Sequence, residues 1–258
     1  MTTAPATALD AATRDALAEL LLAVADDEFV IGFWDSEWTG IAPMLEEDVA
    51  TSSIAQDELG HAKALYELLA ELTDDDADRI AFGRPPDAYR HAALLNHARG
   101  DWAFTVARRW LYDTADSARL AVFARSVFEP LAALATKMRR EETYHLLHWE
   151  AWLERLGGGP ARQRLTDALQ ALWPDAHAVF APLDGERTLL DAGILAEPIE
   201  VVRVSWAGQA QHRLRALDID LPATTPPDAQ ARIGRTEDFA WLHGQFTMVA
   251  NQEVGATW

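Results

Sequence analysis

The chain has 258 residues, 49% of them hydrophobic and 24% charged, enough to build a sizeable core as one large domain or two small ones. Its 41 acids against 22 bases leave a formal net charge of −19, which argues against a nucleic-acid partner held by its phosphates. The absence of cysteine excludes disulfides, thiolate nucleophiles and iron–sulfur ligation, and no apolar run approaches membrane-spanning length.

Residues 1–15 have neither the basic region nor the apolar core of a signal peptide, so the expected location is cytoplasmic. Residues 11–38 then repeat apolar side chains at helical spacing and predict a first helix, which Gly40 and Pro43 punctuate. A second helix is predicted over 43–72, with Pro43 in its first turn and Glu46, Glu47 and Asp48 where the helix dipole favours acids. The acidic stretch from residue 73, followed by Gly83, Pro85 and Pro86, reads as a long crossover. A third helix is predicted over 88–126 and a fourth over 130–156, the latter stopped by Gly157-Gly158-Gly159-Pro160. Further helices are expected over 161–180, 198–216 and 228–252, joined by connections at 181–197 and 218–227. The only β-branched run, 199–204, is too short for a strand prediction. The expectation is an all-α single domain, with 1–158 as a core bundle of two helical hairpins and 159–258 as accessory helices.

Two copies of one short word give this pattern its chemistry. Glu58-Leu59-Gly60-His61 and Glu142-Thr143-Tyr144-His145 both read Glu-x-x-His, and positions three apart share a helix face. Glu28 precedes Glu58 by 30 residues, and Asp113 precedes Glu142 by 29. On one straight helix such a separation would span roughly 45 Å. A break near residue 43 and another near Phe128 instead fold each acid level with its Glu-x-x-His partner, giving two antiparallel hairpins joined by a long connection. Four carboxylates and two imidazoles on four helices form the ligand set of a carboxylate-bridged di-metal site. The alternative is a buried polar layer held by salt bridges alone, which is costly because four desolvated carboxylates repel one another. Oxygen and nitrogen donors without thiolate suit iron or manganese, and zinc less specifically.

Asp57 and Glu141, each just before a Glu-x-x-His, are placed to accept the free ring N–H of a histidine on the facing helix, with simple surface exposure as the alternative. Asp35, Glu37 and Trp38, beyond Glu28 on the first helix, are candidates to line access to the site, with a plain helix-end surface as the alternative. His148 reads as a structural histidine. Arg108, Arg109, Arg139 and Arg140 are candidates either to bind an anion or acidic partner or to neutralise nearby acids. The ten tryptophans read as core and interface anchors.

The string Gln56-Asp57-Glu58-Leu59-Gly60-His61, with Ala42-Pro43 and Trp38 upstream, resembles the bacterial phenylacetyl-CoA epoxidase family, as do Trp110-Leu111-Tyr112-Asp113 and Glu141-Glu142-Thr143-Tyr144-His145. The resemblance is strong to about residue 158 and weaker beyond it. It implies a ferritin-like fold and a multicomponent monooxygenase, in which a catalytic A-type subunit works with a related, smaller C-type subunit. It would make Glu28, Glu58, His61, Asp113, Glu142 and His145 the di-iron positions, with Asp57, Glu141 and Asp35 around them. In the family reaction reduced iron activates O₂, one oxygen atom adds across the aromatic ring of a CoA thioester, and a separate reductase supplies electrons.

Chain length, the run Trp152-Leu153-Glu154-Arg155-Leu156-Gly157 and the ending Thr257-Trp258 look like the C-type subunit, which often lacks the metal ligands; this chain keeps all six. Where the A-type pattern has a lysine one turn before Glu58 the chain has Ile54, and where it has a glutamate the chain has Asp35. The resulting reading is a C-type epoxidase subunit of phenylacetate catabolism with an intact di-metal site, iron or alternatively manganese. Its expected partners are the related ferritin-like catalytic subunit, other epoxidase components including the reductase, and a CoA thioester, in a homo- or hetero-oligomer. Two other readings stand beside it: a non-catalytic structural partner of the epoxidase, and a free-standing di-iron oxidase or ferroxidase.

Overall fold

In the computed structural model, which describes residues 9–252, an aspartate cap opens the first helix of each hairpin. The readings of residues 1–8 and of Thr257-Trp258 lie outside the described residues. Asp10 accepts the N–H of Thr13 at 2.7 Å and opens α1 (Ala11–Ser36). After the turn around Gly40 and Pro43, α2 (Leu45–Thr73) starts with Glu46, Glu47 and Asp48 in its first turn and ends at Asp74, which adopts a left-handed conformation with φ 54°. The two helices approach closely at Gly32, where an added Cβ would meet Leu59, Ala55 and Glu58 at 3.0–3.2 Å.

The chain then crosses back along the bundle through α3 (Ala77–Phe82) and two 3₁₀ turns, Pro86–Ala88 and Ala93–Asn96. Here the sequence expectation fails: α4 (Trp102–Phe123) begins at Trp102 rather than at residue 88. Side chains of α1 take up three backbone groups of residues 90–95 that a continuous helix would need. Asp26 accepts the N–H of Arg90 at 2.6 Å, Asp27 that of Ala92 at 2.7 Å, and the Trp34 indole donates to the Leu95 carbonyl at 2.9 Å. Gly100, at φ +70°, turns the chain, and Asp101 caps the new helix through the Phe104 N–H. The second hairpin closes with α5 (Glu129–Gly157), which carries Pro130 in its first turn.

Contacts between the hairpins fix their directions. Trp38 donates to Thr105, Tyr112 to Glu28 and Arg119 to Asp27, so α1 and α4 run antiparallel. Asp57 faces His145 and Glu141 faces His61, so α2 and α5 do too. This is the ferritin-like four-helix arrangement, all-α, with no strand among the described residues.

The C-terminal helices pack onto the bundle. α6 (Arg162–Ala176) lies against α4. The helix predicted over 161–180 carries Pro174 in its last turn and passes after Ala176 into a 3₁₀ turn, His177–Phe180. α7 (Glu186–Asp191) lies inside the predicted connection 181–197, and α8 (Ile199–Arg215) contains the β-branched run. The single helix predicted over 228–252 is broken into a 3₁₀ turn, Ala229–Arg232, then α9 (Glu237–Phe246) and α10 (Met248–Gln252). Arg232 and Arg235 cause the break by turning inward. Arg232 donates to Asp27 and to the carbonyl of Val179, and Arg235 donates to the carbonyl of Tyr89. No helix among the described residues is long and apolar enough to cross a membrane.

Candidate metal centre

All six residues singled out from the spacing meet at the middle of the bundle, none of them more than 2% exposed. They form two overlapping groups. Glu28 from α1, Glu58 and His61 from α2 and Glu142 from α5 make one; Asp113 from α4 with Glu142 and His145 from α5 makes the other. Within each group one donor atom per residue lies within 4.8 Å of the others, and Glu142 belongs to both.

The histidines are oriented alike. His61 turns Nδ1 inward, 3.4 Å from Glu28, 3.5 Å from Glu58 and 3.7 Å from Glu142. His145 turns Nδ1 to Glu142 at 3.0 Å and Glu58 at 3.4 Å. The outward nitrogens meet acids of the facing helix: His61 Nε2 lies 2.8 Å from Glu141, and His145 Nε2 lies 3.2 Å from Asp57. Both acids are partly exposed, so each reaches from the surface to a buried ring. Such a contact selects the tautomer that leaves Nδ1 free to bind a cation.

Asp35 is fully buried, with its carboxylate 3.4 Å from Arg109. Burial pushes its pKa up to about 6 against the opposing pull of Arg109 and Arg108. The neighbouring candidates point elsewhere. Glu37 faces Arg99, Trp38 donates to Thr105, and His148 pairs with Glu47 at 3.2 Å. Arg139 and Arg140 are exposed. Ile54 is buried and brings no charge.

The buried cation comes from α4 instead. The Arg109 guanidinium lies 2.5 Å from Glu58 and 3.0 Å from Asp113, with no exposed surface. Of the two roles open to it from sequence, it neutralises acids. Two residues were given no role at the site from the sequence. Tyr112 donates from its hydroxyl to Glu28 at 2.8 Å, and Arg119, held by Asp27 and Asp116, approaches the same carboxylate at 3.8 Å. Arg109, Asp113 and Asp116 repeat at i, i+4 and i+7, a charged stripe on one helix face that signals burial once Asp113 is placed in the core.

Charge crowding dominates the electrostatics. Burial raises the pKa of Glu28, and Asp116 and Glu58 raise it further. Asp113 and Glu142 are also raised, first by burial and then by neighbouring carboxylates. Glu58 is the exception: burial opposes its charge, but Arg109 and hydrogen bonds with Glu28 and both histidines hold its pKa well below the usual range. Burial alone would lower both imidazoles, yet the surrounding carboxylates push His61 up to about 12 and His145 up to about 11. The crowded carboxylates therefore favour positive charge among them. Glu58, Asp113 and Glu142 each keep a buried oxygen with no hydrogen-bond partner, so donor atoms suited to a hard or borderline cation are available. The residues present fit a two-metal group, with Glu142 between the two positions.

A family model described as "Phenylacetic acid catabolic protein" matches residues 1–258. The chain belongs to the phenylacetic acid catabolic protein family. It is 30% identical over 204 residues to the C-type subunit of the 1,2-phenylacetyl-CoA epoxidase of Escherichia coli (strain K12), across 78% of this chain and 82% of that one. It is also 28% identical over 165 residues to the A-type subunit of the same enzyme, across 62% of this chain and 52% of that one. The chain is thus similar to both kinds of epoxidase subunit, with the longer match to the C-type one.

Proposed function

We propose that this chain is a subunit of a multicomponent di-iron oxygenase of phenylacetate catabolism that acts on phenylacetyl-CoA, with manganese as the alternative metal. One observation carries the reading: six buried carboxylate and imidazole ligands converge in a member of this family. A reduced iron pair would supply O₂ activation and delivery of one oxygen atom to the aromatic ring. The chain's own residues would hold that pair. Glu28, Glu58, His61, Asp113, Glu142 and His145 bind; Glu141 and Asp57 fix the ring orientation of the two histidines; Tyr112 orients Glu28. With a net charge of −19, this chain leaves the polyanionic CoA moiety to a related catalytic partner, and a separate reductase delivers electrons. A cytoplasmic location accords with such a catabolic assembly.

The second reading is a structural partner whose site no longer turns over. It is favoured by the longer match to the C-type relative and by Arg109 lying among the ligands. Metal analysis of chain produced in iron-rich medium, followed by epoxidation assays with phenylacetyl-CoA, reductase and the partner chain, separates the two. About two irons per chain, with turnover lost when they are chelated, is expected. A folded, metal-free chain that supports full turnover by its partner would make it the structural subunit.

Metal binding should also displace protons. In the metal-free chain both raised histidines carry a proton at pH 7, and a metal ligand must be neutral. Titrating the ion into the chain in buffers of different ionisation enthalpy should therefore show at least about two protons released, those of the two histidines, with any held by the raised carboxylates Glu28, Asp113 and Glu142 added to them. The sign follows: affinity rises with pH, because each proton released on binding is driven off more favourably as proton activity falls. The metal-free fold behaves oppositely. Histidines raised from 6.5 stabilise it fully below that pH and lose the contribution as pH climbs towards 11–12. Binding without proton release would remove the histidines from the ligand set.

A further inference from the structure

We infer that Arg109 is the resident cation of the Asp113–Glu142–His145 half of the centre, so that the two halves load unequally and the second ion enters only as Arg109 passes to Asp35. This rests on the reading of the cluster as a metal centre. Arg109 is the buried cation that joins the two hairpins at the ligands, bonding Glu58 of α2 and Asp113 of α4 through one nitrogen, Nη2. The rings of Tyr112 and Trp149, 5.9 and 5.8 Å from the guanidinium carbon, box it in. A divalent ion binding Asp113, Glu142 and His145 beside that guanidinium would face a like charge across a desolvated gap.

The other half meets Arg109 through Glu58 Oε1, while Glu58 Oε2, 3.5 Å from His61, keeps no hydrogen-bond partner and stays open to an ion. Arg119 comes within 3.8 Å of Glu28, but it is already committed to Asp27 at 2.6 Å and Asp116 at 2.5 Å. The difference between the two arginines lies in their reserve partners: Arg119 has both made, whereas Arg109 has one unmade.

That unmade partner is Asp35. Both of its carboxylate oxygens are buried without a hydrogen bond, and so are Nε and Nη1 of Arg109, although the two groups stand only 3.4 Å apart. Nε faces Asp35 Oδ2 at 3.4 Å, and a two-pronged ion pair on that edge of the guanidinium needs Nε together with Nη2, the nitrogen now spent on Glu58 and Asp113. Closing it would free Glu58 and Asp113. Charge then balances in the loaded state: four ligand carboxylates against two divalent ions, and Asp35 against Arg109. Asp35 is thus a berth for the displaced arginine, which gives a buried acid lacking any hydrogen bond a specific role.

Calorimetric titration of the metal-free full chain with Mn(II), read alongside electron paramagnetic resonance to distinguish isolated from paired ions, tests this. Wild type should bind one ion tightly and a second roughly 10-fold or more weakly. Asp35→Asn should leave the first affinity in place and weaken the second a further 10–100-fold, in the range typical of residues that support metal ligands. Arg109→Gln should bring the two affinities together. Asp35→Asn, which keeps the side-chain volume, remains informative if Arg109→Gln fails to fold. Two equivalent ions in wild type, or a second affinity indifferent to Asp35→Asn, would overturn the inference while leaving the metal centre intact. A folded wild-type chain that binds no Mn(II) at all would overturn both.

Discussion

Glu142→Gln is expected to leave a folded chain that no longer loads metal: content falls from about two ions to well under one, with affinity reduced more than ~100-fold. Glu142 is the one residue common to both ligand groups. Its Oε1 lies 3.0 Å from His145 and 3.7 Å from His61, while Oε2 has no hydrogen-bond partner. Glutamine keeps the volume but replaces a bridging anion with a neutral amide that turns N–H donors towards a cation. The fold should tolerate this. Burial and Glu58 already disfavour the Glu142 charge, so in the metal-free chain the amide relieves a repulsion. Unfolding without metal should then move by less than ~1 kcal/mol. The difference appears when metal is added: at a free ion concentration 100 times the wild-type Kd, wild type gains about 2.7 kcal/mol and the variant less than about 0.4 kcal/mol. Metal analysis together with thermal unfolding in the presence and absence of Mn(II) measures both effects. A Glu142→Gln chain that still holds two ions would show that Glu142 does not bridge.

The core of this arrangement was legible because it depends on local rules. Helix period, the breaks at Pro43 and before Pro130, and the nearly equal distances of Glu28 and Glu58, or Asp113 and Glu142, from those breaks place the candidate ligands level without knowledge of any long-range contact. What escaped reading was non-local. Residues 88–101 have helical composition, but Asp26, Asp27 and Trp34, more than sixty positions away, take up their backbone groups. Arg232 lies in a segment that looks like an exposed helix, yet it crosses the chain to reach Asp27. Arg109 illustrates the same limit at the site. Its spacing from Asp113 put it on the correct face, but whether a basic side chain faces an external anion or an internal carboxylate depends on what packs above it, here Trp149 and Tyr112.

Asp27→Asn is expected to lower stability by about 3–5 kcal/mol, because it leaves buried guanidinium groups short of an anion. Asp27 has no exposed surface and serves two arginines from different parts of the chain, Arg119 of α4 at 2.6 Å and Arg232 at 3.1 Å, while also accepting the N–H of Ala92 at 2.7 Å. It therefore ties α1, the crossover, α4 and the C-terminal segment together. Arg119 would keep Asp116, and Arg232 would keep the carbonyls of Arg90 and Val179, but asparagine cannot neutralise either charge. The contrast is the exposed Arg79–Asp75 pair, where solvent screens the charges and Asp75→Asn should leave the unfolding midpoint close to that of wild type. Urea unfolding midpoints of the two variants measure the difference. A second effect should follow at the metal centre. Arg119 stands 3.8 Å from Glu28; freed from Asp27, it has Glu28 as its nearest replacement acid and would compete with the ion for it. Metal affinity at the Glu28–Glu58–His61 half should fall together with stability, although Asp27 itself touches no ligand. If Asp27→Asn weakened the fold without changing that affinity, the two arginine networks would be energetically separate, and Arg119 would be only a brace between helices.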